Sequence, residues 1–120
     1  MSISNYAENK LLDTIGGVSF SVATPYVQLH VGDPGEDGTG NPAAETTRQA
    51  ATFGSAGSGS MATTANITWT NVAATETVSH WSMWDAATAG NCLWYGALTS
   101  SASLEAGDTF QITSLSLTLE

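Results

Sequence analysis

The sequence has 120 residues, of which 42% are hydrophobic and 11% are charged, and its formal net charge is −9. Binding to nucleic acid or to an anionic membrane requires a patch of basic side chains, and two Lys and Arg residues against eleven Asp and Glu residues exclude such a patch. The ordinary hydrophobic content and the low charge argue against intrinsic disorder. We therefore expect a single domain over residues 1–120, with an N-terminal helix within 1–16 and a β-sandwich at 17–120.

The single cysteine, Cys92, excludes an internal disulfide and a cysteine-based metal site. No apolar run approaches the ~20 residues that a membrane-spanning helix needs. The first ten residues lack the basic and apolar regions of a signal peptide. These features predict a protein without a cofactor that is made and folded in a cytoplasm.

The first predicted element is a helix over residues 5–15. Asn5 and Glu8 form a capping-box-like start, and a Gly-Gly dipeptide follows the last turn. A single apolar stripe runs along it, and a stripe of that width packs against a sheet or a neighbouring protein. We expect this helix to help form the contact with neighbouring subunits or with a larger particle, and the stripe consists of Ala7, Leu11 and Ile15.

Strand patterns dominate the rest of the chain. Alternating apolar residues or β-prone runs predict strands at 18–22, 27–31, 48–53 and 65–69. Turn-forming residues predict a long loop at 32–42 and a flexible connector at 54–60. Near the C-terminus the apolar residues change parity, which predicts a bulge or bend at Thr113–Ser114. About seven short strands predict an all-β fold, an antiparallel β-sandwich or barrel with one N-terminal helix.

The central predicted hairpin spans residues 77–98, with strands at 78–85 and 92–98 and a turn between them. Side chains alternate across a strand, so Ser82 and Trp84 share one face while Trp81 and Met83 share the other. Because both faces carry a large ring, the hairpin should lie between two layers. The first is its own core, and the second is another layer or a neighbouring subunit. Trp81, Met83 and Trp84 are therefore predicted interaction residues, together with Leu11 and Ile15.

Two groups of residues contain the side-chain types of a metal site or a catalytic site. The 32–42 loop offers oxygen ligands for Ca²⁺, but the spacing is not that of an EF-hand, and we favour a solvated loop; the ligands would come from Asp33, Glu36, Asp37 and Asn41. A hydrolytic triad would need His80, Ser82 and Asp85, but Asp85 points to the opposite face of the strand. A G-x-S-x-G motif is missing from the sequence as well. We therefore predict no catalytic activity.

The histidines and tryptophans have simpler interpretations. His30 and His80 are too few for a catalytic metal and are predicted to be satisfied core or interface residues. The tryptophans could stack on sugars, with Trp69, Trp84 and Trp94 in the core and only Trp81 available, but we favour a core or interface role for them.

Five segments that together extend over nearly the whole sequence follow in the order SISNYAENKLLD, LHVGDPGEDGTGN, RQAATFG, HWSMWDAATAGNCLWYGAL and AGDTF. In these segments the chain resembles a family of small virion proteins of tailed bacteriophages that are often labelled tail fibre proteins. Relatives usually carry an aromatic residue where this chain has Thr47. The resemblance implies a structural, non-enzymatic role in the virion, which is assembled in the cytoplasm of the bacterial host.

A fibre shaft needs a coiled coil, a β-helix or repeats, and the sequence shows none of these. A compact, acidic module suits a protein present in many copies on the particle exterior. We therefore expect a capsid decoration or cement protein that clamps neighbouring subunits. The alternative is a tail or tail-fibre-associated component with a receptor-binding role. In either case the expected partners are other copies of the chain, as a trimer, and phage capsid or tail proteins.

Overall fold

A computed structural model describes residues 2–119, which form one helix and nine strands. All strand pairs are antiparallel, which confirms the all-β class with an N-terminal helix. The elements in chain order are β1 (Ser2–Ile3), α1 (Asn5–Ile15), β2 (Tyr26–His30), β3 (Gln49–Ala50), β4 (Ser60–Ala62), β5 (Ile67–Trp69), β6 (Glu76–Trp84), β7 (Cys92–Leu104), β8 (Phe110–Ile112) and β9 (Ser116–Thr118).

The main sheet has five strands in the order β1-β7-β6-β2-β3, and the pairs β4-β9 and β5-β8 form two smaller sheets. The predicted hairpin is its centre, although β7 extends to Leu104 and is longer than expected. Its turn forms as predicted, because Asp85 accepts hydrogen bonds from the backbone and side-chain nitrogens of Asn91 at 2.8 and 3.1 Å. The other strands of this sheet are therefore arranged on the two sides of the hairpin.

The helix has the predicted bounds but a different N-cap. Ser4, not Asn5, is the capping residue: its hydroxyl accepts a hydrogen bond from Ala7 N at 3.1 Å. The same hydroxyl donates to the carbonyl oxygen of Cys92 at 2.6 Å, so the cap also ties α1 to β7. Asn5 instead lies inside the first turn, and its N–H donates to the Glu36 carboxylate at 2.8 Å.

Several short strands differ from the prediction. Residues 18–22 are irregular rather than a strand; their alternation arises because Phe20 and Val22 pack on the core from a segment without a ladder partner among residues 2–119. The predicted strand at 48–53 shrinks to the two residues of β3. The change of parity near Thr113 does mark a break, since β8 and β9 belong to different small sheets.

The two faces of the main sheet are covered differently. The core face carries Val27, Leu29, Trp81 and Met83, which join the hydrophobic cluster shared with the smaller sheets. The loop face carries His30, Ser82 and Trp84 and is covered by the loop at 32–42. The second layer over the hairpin therefore belongs to the same chain.

Candidate functional site

Buried hydrogen bonds connect the side chains of the loop face. Trp84 Nε1 donates to Ser82 Oγ at 2.7 Å, and Ser82 Oγ lies 2.7 Å from His30 Nε2. His30 Nδ1 lies 2.8 Å from the carbonyl oxygen of Gly40. A carbonyl oxygen can only accept, so Nδ1 carries the proton and Nε2 accepts from the Ser82 hydroxyl. Neutral His30 is thus fully satisfied, as predicted for a core histidine.

The Ser82–His30 pair has the spacing of a nucleophile and its base, yet both residues are fully buried. A substrate would have no access to the Ser82 hydroxyl. The predicted triad members are not brought together either, because Asp85 holds the hairpin turn and His80 Nδ1 bonds Ser79 Oγ at 2.8 Å. The sequence did not reveal the His30–Ser82 contact, since it depends on the register of β2 against β6.

Arg48 fixes the edge of this layer. Its guanidinium carbon lies 3.9 Å from the centroid of the Trp84 ring. Its Nη1 donates to the carbonyl oxygens of Ala86 and Ala89 at 2.9 and 2.7 Å, and its Nε donates to Gln28 Oε1 at 3.0 Å. One of the two Lys and Arg side chains of the chain therefore holds the hairpin turn against β2.

The carboxylates of the 32–42 loop serve the loop itself. Asp37 Oδ1 accepts from the backbone nitrogen and hydroxyl of Thr39, and the hydroxyl bond is the main cause that lowers the Asp37 pKa. Asp33 accepts from Gly35 N at 2.9 Å, and Glu36 accepts from Tyr95 Oη at 3.0 Å as well as from α1. Within residues 2–119, no group of three His, Cys, Asp or Glu side chains is placed to hold a metal ion.

Three of the predicted interaction residues have no free surface. Trp81, Met83 and Trp84 are only 2%, 4% and 7% exposed, because the chain's own core and loop cover the two faces of β6. The sequence left open whether the second layer over the hairpin is another layer or a neighbouring subunit, and the loop at 32–42 of the same chain provides that layer. Burial also removes Trp81 as a sugar-stacking surface, and Trp69 and Trp94 are buried too.

The remaining two predicted residues lie on α1 and are more accessible. Leu11 is half-buried, and Ile15, one turn further along the stripe, is 84% exposed. Leu12 and Val18 are also largely exposed, at 66% and 59%. We call Leu12, Ile15 and Val18 the apolar patch. An interaction role for Leu11 and Ile15 stays a prediction.

Beside α1 lies a cavity of about 480 Å³, which we call the apolar groove. The helix contributes Ala7 and Leu11 to its wall, and Phe20, Met61 and Trp94 are among the other residues that line it. In the part of the chain that the structure describes, the side chains that line this groove carry no charge. A neutral, open concavity of this size can receive apolar groups of another molecule.

The described residues contain no helix long and apolar enough to cross a membrane. The model of the family described as podophage GP4 fiber I protein gp80 matches residues 2–120 of the chain. No curated protein is significantly similar to it.

Proposed function

The chain belongs to the podophage GP4 fiber I protein gp80 family, and on that premise we propose that it is a non-enzymatic structural protein of a tailed-phage virion that is attached to the tail fibre apparatus. The family match is the observation that carries this proposal. It favours the tail-associated alternative over the capsid decoration role that we expected from the compact shape and the acidic composition.

The dimensions of the molecule refine this role. Its principal extents are 47 × 26 × 23 Å, and its helix has 11 residues. A fibre shaft extends along an axis through a coiled coil or a repeated β-structure. We therefore propose that the chain forms a compact joint or terminal module of the fibre apparatus, and that the shaft is built by other protein.

Location on the particle tests the proposal. Particles assembled without this protein would be incubated with purified, gold-labelled protein and imaged by electron microscopy. We expect label at the tail and a copy number that is a small fraction of that of the major capsid protein. Label spread over the capsid lattice, with a copy number near that of the capsid protein, would restore the decoration role.

We further propose that the protein acts as a homotrimer. The apolar patch of Leu12, Ile15 and Val18 supports this, because large apolar side chains that are more than half exposed favour burial against another protein surface. Light scattering should give a trimeric mass, and Ile15→Asp should reduce it to that of a monomer without changing the circular dichroism. A wild-type protein that stays monomeric at high concentration and still binds the tail would contradict the trimer.

A further inference from the structure

We propose that the apolar groove and an acidic hollow beside it bind an extended segment of another virion protein, in which apolar side chains enter the groove and a Lys or Arg meets Glu8 and Glu36. This inference rests on the proposed function, since it names the kind of partner through which the module is attached.

The groove supplies the apolar half of the site. Ala7 and Leu11 of α1 line it together with Phe20, Met61 and Trp94. With a volume of about 480 Å³, the cavity can accept two or more large side chains. Its lining is apolar apart from two threonines, and so affinity would come mainly from buried apolar area.

The acidic half is a second hollow, of about 510 Å³, that shares Ile3 and Trp94 with the groove. Glu8 and Glu36 line it. The described contacts of the Glu36 carboxylate come from neutral donors, the N–H of Asn5 and the hydroxyl of Tyr95. A basic side chain that enters here would therefore meet negative charge that these contacts do not cancel.

The backbone around the hollow favours an extended partner. Ser2 and Ile3 of β1, Thr118 of β9 and the following Leu119 are among the residues that line the hollow. Within residues 2–119, β1 pairs with β7 alone and β9 with β4 alone, so each strand has a second edge without a partner. Free strand edges bind added strands through main-chain hydrogen bonds, while the side-chain pockets give specificity.

A second copy of this chain is a poor occupant. Its two basic residues are the only ones that could meet the acidic hollow. Arg48 is held against Trp84, and the amine of Lys10 lies 5.6 Å from the Tyr6 ring on a helix. Lys10 lies within α1, and Arg48 is held by the hydrogen bonds that it donates, so neither is presented on a free extended segment. The charges therefore point to a different protein.

The test uses the full chain and arrays of overlapping short peptides that cover the other structural proteins of the phage. We expect the bound peptides to combine apolar residues with a Lys or Arg and to bind more weakly in high salt. Fluorescence anisotropy with the best peptide then compares two matched pairs of variants.

Glu8→Lys should weaken binding by about five- to tenfold, whereas Asp13→Lys, the same charge change on an exposed helix position outside both cavities, should have little effect. Leu11→Glu should weaken binding by more than about tenfold, because it places a charge in the groove. Thr14→Glu, which introduces the same charge at an exposed helix position outside both cavities and outside the apolar patch, is its control. If Leu11→Glu disturbs folding, the comparison of Glu8→Lys with Asp13→Lys tests the proposed site without it.

Equal effects of Glu8→Lys and Asp13→Lys, or peptides without a basic residue, would overturn the inference. So would an array without any bound peptide, or a change of oligomeric mass caused by Leu11→Glu, which would identify a second copy as the occupant. Tail labelling without peptide binding would leave the proposed function standing and remove only this site. Capsid labelling, together with basic capsid peptides that bind in the groove, would remove the proposed tail location and leave this binding site standing.

Discussion

The guanidinium carbon of Arg48 lies 3.9 Å from the centroid of the Trp84 ring, and this stacked pair joins the hairpin turn to the layer beneath it. An aromatic ring favours burial, whereas a guanidinium needs hydrogen-bond partners, and this pair meets both conditions. The ring is almost fully buried, while the guanidinium keeps donating to carbonyl oxygens at the surface. The first prediction follows from this pair.

Arg48→Lys should lower the free energy of unfolding by about 1–3 kcal/mol, because a lysine cannot reproduce the planar stacking and the forked hydrogen bonds. Lys10→Ala is the matched control; its amine lies 5.6 Å from the Tyr6 ring near the surface, and its loss should cost less than about 0.5 kcal/mol. Urea denaturation measures both. An equal, small effect of the two changes would show that the Arg48 contacts contribute little.

Gly38 lies where the loop meets the buried face of Trp84. A Cβ there would lie 2.7 Å from Trp84 Cζ2 and 2.8 Å from Cys92 Sγ, and the residue has φ +73°. Gly35, in the same loop with φ +76°, has open space around it. Gly35→Ala should therefore lower the free energy of unfolding only by the cost of placing an alanine in the left-handed conformation, roughly 1–2 kcal/mol. Gly38→Ala should cost a further 1–3 kcal/mol or so from overpacking. Similar melting temperatures for the two variants would contradict the loop packing.

His30 should make the stability depend on pH. Burial lowers the pKa of His30, and the neighbouring His80 and Arg48 lower it further, although the backbone hydrogen bonds with Gly40 and Asn41 oppose them. The unfolded chain then takes up the proton first, so stability is complete above the ordinary pKa of about 6.5 and falls as the pH drops below it.

Thermal unfolding between about pH 7.5 and pH 5.5 checks this, since each 1 kcal/mol lost lowers Tm by about 4 °C in a domain of this size. His30→Gln should flatten the pH dependence, whatever its own stability, while His80→Gln should leave most of it. A wild-type Tm that is constant over this range would refute the assigned role of His30.

Cys92 should be unreactive in the native protein. Burial raises the pKa of its thiol to about 11, so that at pH 8 only about one part in a thousand is thiolate, and the sulfur is covered by its surroundings. Iodoacetamide should label it slowly in buffer and completely in denaturant. Rapid labelling of the native protein would indicate that the loop over the sulfur opens readily.

Metal removal should leave the protein unchanged. The loop carboxylates already accept hydrogen bonds from the chain itself, as in Asp33 with Gly35 and Asp37 with Thr39. EDTA or added Ca²⁺ should not shift Tm. A rise in Tm with Ca²⁺ that EDTA reverses would identify a native-state site, because a ligand that binds only the folded state stabilises it.

Much of the fold could be predicted from local patterns. The apolar spacing and the glycines that follow it predicted α1 with its bounds, and period-two alternation predicted β2 and the central hairpin. The two-residue strand β1 and the three-residue β4 were missed because such short segments carry no periodicity. The irregular segment at 18–22 was misassigned because alternating apolar residues are shared by a strand and by an irregular segment whose Phe20 and Val22 pack against the core.

The acidic composition, the lack of an internal disulfide, the β class and the burial of both faces of β6 could all be inferred from the order of the residues. What buries those faces depends on the folded chain: the loop at 32–42 covers Trp84, and the core covers Trp81. The folded chain also places His30 against Ser82 and leaves Ile15 exposed. The physical reason is that alternation fixes which side chains share a face, whereas strand register and the cover over each face come from contacts between residues far apart in the chain.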